Sequence, residues 1–345
     1  MTTLYITHEQ YREHRMPHYN HPEYPGRIEQ VWQVLQDAGL DKRMATDLPV
    51  PATDEQILRV HTQSHLDTLT RISQQDELVM IDQDTYALPS SPQVARLGAG
   101  GVVSAVDAVM EGTAENALVA VRPPGHHATS KRAMGFCLLN NIAVGVRYAQ
   151  AIYRARRVAI VDYDVHHGNG TQDIFYEDGT VLFISTHQYP YYPGTGALKD
   201  IGRGTGEGTT LNIPLRAGHG DSNYVKLFEQ VVRPAIMRFQ PDLILVSAGF
   251  DAHHVDPLAS MQLSHTGYAM LIRQLIEMAQ AVCGGKIIFV MEGGYDLPAL
   301  AHGMRNIAHA LLREDEISDY YGASQNREPE IEPFINELRM LHDLP

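Results

Sequence analysis

A chain of 345 residues with 44 % hydrophobic side chains can bury one large core. Its formal net charge of −14 argues against nucleic acid as a direct partner, since binding phosphates needs concentrated Lys and Arg; it is compatible with a cationic substrate, though charge alone reads first as solubility. The two cysteines, Cys137 and Cys283, cannot build a disulfide framework, MTTLYITHEQYREHR has no apolar secretory core, and no apolar run nears the roughly 18 residues of a membrane span, so a cytoplasmic protein with no membrane partner is expected.

In chain order, Ile28, Val31, Trp32 and Leu35 follow helical spacing, and the pattern stops at Gly39. Five apolar runs then end in polar clusters: Ala117–Val121 before RPPGHH, Val158–Val161 before DYDVHHGNG, Val181–Ser185 before THQYPYYPGTG, Leu243–Val246 before SAGFDAHHVDP, and Ile287–Met291 before EGGYD. Short continuous apolar runs predict strands buried on both faces, hence a parallel sheet. Leu271, Ile272, Leu275, Met278, Ala279 and Val282 form a further helical stripe, with Thr266 as the expected N-cap and Gly284 as the stop. From about Arg313 the chain turns acidic and irregular, which predicts a segment over 313–345 packing on one domain that spans 1–345. The expected class is α/β: a central, mostly parallel sheet flanked by helices. In such sheets ligand sites gather at the carboxyl ends of strands, so the five polar clusters should converge in one crevice.

Asp164 and His166 are two apart in an extended segment and face the same side, so both can bind one ion. Asp251 is the natural third ligand. Two carboxylates and one imidazole leave an open position on zinc, as catalytic sites do, while oxygen-rich ligation also suits Fe(II) or Mn(II). Binding needs neutral His166 and ionised carboxylates, so affinity should fall in acid.

Hydrolysing an amide needs a base to activate water and an acid for the leaving amine; the adjacent His126 and His127 could supply both, although in isolation such a pair reads better as two satisfied surface residues. In Glu292-Gly293-Gly294-Tyr295 the glycines allow close backbone approach, and the phenol can donate to a developing oxyanion. Gly135-Phe136 and Tyr191-Tyr192 offer aromatic walls for a narrow channel.

Taken together, HPEYPGRI, RPPGHHA, GFCLLNN, DYDVHHGNGTQDIFY, PYYPGTG, SAGFDAHHVDPLASMQLSHTGY and EGGYD resemble the arginase–deacetylase superfamily. The resemblance is to histone-deacetylase-like and acetylpolyamine amidohydrolases, closer in wording to the class II branch. It implies that Asp164, His166 and Asp251 hold zinc, and that His127 is general base and acid, with His126 as electrostatic partner oriented by Asp162. It places Asn169 as the partner of His127, where class I enzymes carry Asp. It makes Tyr295 an oxyanion donor, sets Phe136 and Tyr192 along the acyl-lysine methylenes, and gives the Gly135 carbonyl to the substrate N–H. Arg27 matches an arginine beneath the metal, and oxygens around Asp162, Asp164, His166 and Ser185 match a structural potassium site.

Leu258 stands where a polyamine-selective branch uses Glu, and its apolar side chain suits the mouth of an acyl-lysine channel. The expected reaction is therefore deacylation of an Nε-acyl-lysine side chain, with acetylpolyamine hydrolysis as the alternative. A catalytically silent acyl-lysine reader is the alternative of another class, and two-metal ureohydrolase chemistry ranks below it. The sequence leaves a homo-oligomer open.

Overall fold

The computed structural model describes residues 2–17 and 21–345. Its strands are β1 (Thr3–Ile6), β2 (Ala45–Asp47), β3 (Val79–Met80), β4 (Tyr86–Ala87), β5 (Asn116–Val119), β6 (Val158–Asp162), β7 (Val181–Gln188), β8 (Thr210–Leu215), β9 (Leu243–Ala248) and β10 (Ile287–Met291). The helices are α1 (Gly26–Asp37), α2 (Asp54–Leu58), α3 (Gln63–Ser73), α4 (Ser91–Glu111), α5 (Asn141–Tyr153), α6 (Asn169–Phe175), α7 (Asp221–Leu227), α8 (Arg233–Phe239), α9 (His265–Cys283), α10 (Leu297–Leu311) and α11 (Glu332–Leu341). A π-helical turn, Phe228–Val232, joins α7 to α8.

Eight strands form one sheet in the order β2-β1-β5-β10-β9-β6-β7-β8, and every pairing in it is parallel. The short β3–β4 hairpin stands apart and is antiparallel. β5, β6, β9 and β10 are buried along their whole length, which is why they read as unbroken apolar runs rather than alternating ones. Helices cover the sheet, α4 against α5 and α1 against α10 among them, so the fold is the expected single-domain α/β architecture around one core.

The five strands anticipated from sequence occupy five consecutive places, β5-β10-β9-β6-β7. Their carboxyl ends therefore open side by side, and the loops that follow them share one rim. Register keeps the ends level: Asp162 lies opposite both Ser185 and Ser247, and Met291 opposite Ala248.

Several elements differ from expectation. Thr266 does not cap α9; Ser264 does, in an extended conformation with its hydroxyl accepting the Gly267 N–H at 3.1 Å. Thr266 lies one residue inside the helix, so its own hydroxyl is free to donate to Asp319 at 2.7 Å. The segment beyond Arg313 is less irregular than its composition implies: it carries α11, whose Ile335 and Leu338 join the core together with Ile331. β1, β2 and β8 were not anticipated. β1 is only four residues long, and β2 is an exposed edge strand with no apolar run. No helix among the described residues is long and apolar enough to cross a membrane.

Candidate active site

Asp164, His166 and Asp251 bring three ligand atoms within 4.8 Å of one another, and all three residues are buried. Both carboxylates are held by backbone. Asp164 Oδ1 accepts the His166 N–H at 2.9 Å, and its Oδ2 accepts the Gly293 N–H at 2.8 Å. Asp251 Oδ1 accepts the Val165 N–H at 2.8 Å, which ties the loops after β6 and β9 together. The other Asp251 oxygen lies 3.0 Å from His166 Nδ1, and Asp164 Oδ1 lies 3.2 Å from the same nitrogen. Burial disfavours an imidazolium, but bonds to these two carboxylates outweigh it and raise the His166 pKa well above the ordinary value. Two buried carboxylates and one imidazole nitrogen converge here, a donor set that fits a divalent cation.

Two glycines make room for these carboxylates. A Cβ on Gly293 would stand 2.2 Å from Asp251 Oδ2 and 2.5 Å from Asp164 Oδ2, and one on Gly249 would stand 2.1 Å from Asp164 Oδ2. The Gly293 of EGGY thus serves close approach to the carboxylates.

The two histidines after β5 have different partners. His126 Nδ1 lies 3.0 Å from Asp162 Oδ2. Burial opposes its charge, yet Asp164 and Asp162 carry its pKa up to about 10, so it stands as an imidazolium. His127 Nδ1 instead meets Asn169 Oδ1 at 2.8 Å, and burial, then the neighbouring His126 charge, push its pKa well below the usual value. An amide oxygen can only accept, so Nδ1 carries the proton and Nε2 is left free to take one. Asn169 Nδ2 donates to Met134 Sδ at 3.4 Å, which fixes the amide in this sense. The turn itself is pinned by Glu292, whose Oε2 accepts the N–H groups of Gly125 at 2.7 Å and His126 at 3.2 Å.

A cavity of about 250 Å³ leads to this floor, lined by Asp84, His127, Gly135, Phe136, His166, Tyr191, Tyr192, Leu258 and Tyr295. Phe136 stands edge-on to Tyr295 with ring centroids 5.8 Å apart, and Tyr192 edge-on to His127 at 5.1 Å. Gly135 and Phe136 both have positive φ, 56° and 68°. For a phenylalanine that is a strained conformation, and the Phe136 N–H is held by Thr85 Oγ1 at 3.1 Å. The Gly135 carbonyl receives the Cys137 thiol at 3.2 Å. Burial raises the Tyr295 phenol well above its ordinary pKa, so it stays protonated as a donor. Arg27 lies under the Tyr295 ring, 5.0 Å from its centroid, and its guanidinium donates to the carbonyls of Glu292 and Gly294. Ser185 is buried, with its hydroxyl 3.0 Å from His187 Nδ1.

The anticipated metal, acid–base and channel residues thus lie on the loops of one rim, whereas Arg27 comes from α1 below it and Gly293 packs against the Asp164 and Asp251 carboxylates rather than lining the cavity. Asp84 was missed: it arrives on the β3–β4 hairpin, far from any strand-end motif. Its local signal was the turn Asp82-Gln83-Asp84-Thr85, where Asp82 Oδ1 accepts the N–H groups of Asp84 and Thr85 at 3.1 and 2.7 Å. Asp256 was also passed over, although it lies in the quoted HHVDPL.

Comparison with known proteins gives the family and the fold. Residues 21–311 match the family model described as "Histone deacetylase domain". "Histone deacetylase 14, chloroplastic" of Arabidopsis thaliana is 41 % identical over 280 residues, covering 78 % of this chain and 66 % of that protein. "Histone deacetylase-like amidohydrolase" of Pseudomonas aeruginosa (strain PAO1) is 42 % identical, covering 80 % of this chain and 72 % of its own. "Probable deacetylase" of Archaeoglobus fulgidus is 40 % identical over 86 % of this chain and 82 % of its own. The crystal structure of the HDA15 HD domain superposes with a TM-score of 0.90 at 35 % identity, covering 99 % of this chain and 94 % of that one. The chain belongs to the histone deacetylase family and is a hydrolytic deacetylase of that family.

Proposed function

We propose that this enzyme hydrolyses the acyl amide of an Nε-acyl-lysine side chain, with zinc held by Asp164, His166 and Asp251. The observation that carries the reading is the narrow aromatic cavity with this triad, His127 and Tyr295 at its floor and apolar Leu258 among its lining. The long methylene stem of an acyl-lysine fits such a channel, while its protein remains outside.

When bound, the cation supplies Lewis-acid polarisation of the acyl carbonyl and of the attacking water. His127 Nε2 takes a proton as water adds to the acyl carbon. The Tyr295 hydroxyl donates to the oxygen that becomes negative, a contact stronger in the transition state than in the substrate. His127 then gives its proton to the amine nitrogen as the C–N bond breaks, leaving a free amine and a carboxylic acid, which loses its remaining proton to solvent. The His126 imidazolium, held by Asp162, adds positive field beside the reacting centre. Phe136 and Tyr192 exclude water from the stem, and the Gly135 carbonyl can accept the substrate amide N–H.

Acetylpolyamine hydrolysis is the second reading, favoured by the Asp84 carboxylate in the cavity lining, which could hold a distant ammonium. Comparing kcat/KM on an acetyl-lysine peptide and on N-acetylputrescine, with the enzyme loaded in turn with Zn(II) and Fe(II), decides both substrate and metal. Higher kcat/KM on the peptide with Zn(II) is expected. A strong preference for the polyamine would reject the first reading.

A further inference from the structure

Between the loops that carry Asp251 and Tyr295 lies a carboxylate to which the mechanism gives no part. Asp256 is 6 % exposed, and both its oxygens face main-chain donors. Oδ2 accepts the N–H of Tyr295 at 2.6 Å and of Asp296 at 3.2 Å, and Oδ1 accepts the N–H of Leu258 at 2.9 Å. Its own N–H donates to the His253 carbonyl at 2.9 Å, which roots it in the loop after β9.

The stretch it grips is fixed on both sides of Tyr295, and Asp256 supplies the hold at Tyr295 itself. Tyr295 follows Gly293 and Gly294, the second at φ 119°, where no side chain limits the backbone. Upstream, Gly293 is tied to Asp164, and Arg27 holds the Glu292 and Gly294 carbonyls. At Tyr295 itself, the amide bond goes to Asp256. Downstream, Asp296 caps α10 through the Ala299 N–H at 2.9 Å and receives the Tyr321 hydroxyl at 3.0 Å.

We propose that Asp256 is a positioning residue, which sets the phenol of Tyr295 and the channel residue Leu258 in one geometry through their backbone N–H groups. The inference rests on Tyr295 acting as the oxyanion donor. A carboxylate is required because two oxygens must receive three donors, whereas an amide has one acceptor oxygen and turns two N–H groups toward the others. A donor displaced by even about 0.5 Å no longer meets the oxyanion it should hold.

The test is a double-mutant cycle of Asp256→Asn and Tyr295→Phe on an acetyl-lysine peptide, with kcat expressed per bound metal so that partly folded protein does not enter the rate. Asp256→Asn is expected to lower kcat about tenfold, moving KM by less, because the phenol acts on the transition state. In the Tyr295→Phe background the same change should cost less than about twofold, since the group it positions is gone. Asp256→Glu, which keeps the charge but shifts it by one methylene, should show the same dependence on background. Equal losses in both backgrounds, or no loss beside native Tyr295, would overturn the positioning role while leaving Tyr295 in place. An unchanged kcat for Tyr295→Phe alone would remove the oxyanion reading and the Asp256 role with it.

Discussion

The side-chain oxygen of Asn169 lies 2.8 Å from Nδ1 of His127, so the proposed base is oriented by a neutral amide rather than by a carboxylate. His127 therefore keeps the low pKa that burial and the His126 charge impose. The base must be neutral to work, so activity falls as pH drops through its pKa. Asn169→Asp adds a negative partner and raises that pKa. The acid limb of the kcat/KM profile should move to higher pH; a stationary limb would take His127 out of the base role.

Asp251→Ala removes one of the three proposed metal ligands and the anchor of the Val165 amide. Purified protein should then contain almost no metal by elemental analysis and have no measurable activity. Full occupancy would contradict the assignment. Gly293→Ala tests the same centre from outside the ligand set. Its Cβ would stand 2.2 Å from Asp251 Oδ2, so the carboxylates must shift, and metal affinity should fall about 10- to 100-fold.

Leu258 and Asp84 line the same cavity, one apolar and one acidic. Leu258→Glu adds a second carboxylate there, and the kcat/KM ratio of N-acetylputrescine over acetyl-lysine peptide should rise about fivefold, equivalent to about 1 kcal/mol for a partly solvated ion pair. The gain should shrink in high salt. An unchanged ratio would show that this position does not set selectivity.

Glu23 sits wholly buried between two arginines, receiving Arg122 Nη2 at 2.7 Å and Arg27 Nη1 at 3.3 Å. Burial alone would raise its pKa, but Arg122, His14 and Arg27 prevail and lower it to about 2. A lowered carboxylate pKa gives stability that is full above the unfolded value of 4.5 and fades as pH falls toward about 2. Glu23→Gln should cost about 3–5 kcal/mol at neutral pH, by leaving buried guanidinium charge uncompensated. It should also flatten the loss of stability below pH 4.5 in denaturant titrations. An acid slope equal to that of the native protein would mean that other carboxylates govern it.

What the sequence determined by itself was the chemistry at the strand ends. β5, β6, β9 and β10 are buried on both faces, so they appear as unbroken apolar runs, and the polar residues that follow them can only be loops. Asp164 and His166, His126 and His127, and Tyr295 were legible because each stands beside such a run. The tertiary structure decided what those runs could not carry. Strand order is a long-range property, and only the sequence β5-β10-β9-β6-β7 turns separate motifs into one rim. Ser264 rather than Thr266 caps α9, because the cap belongs to the residue whose backbone is still extended. Asp84 reaches the cavity on a hairpin from an unrelated part of the chain, and Asp256 bridges two loops through main-chain N–H groups. Neither the reach of a hairpin to a distant cavity nor a bond from a side chain to a distant backbone leaves a mark in the local sequence, so these two placements emerge only when the chain is folded.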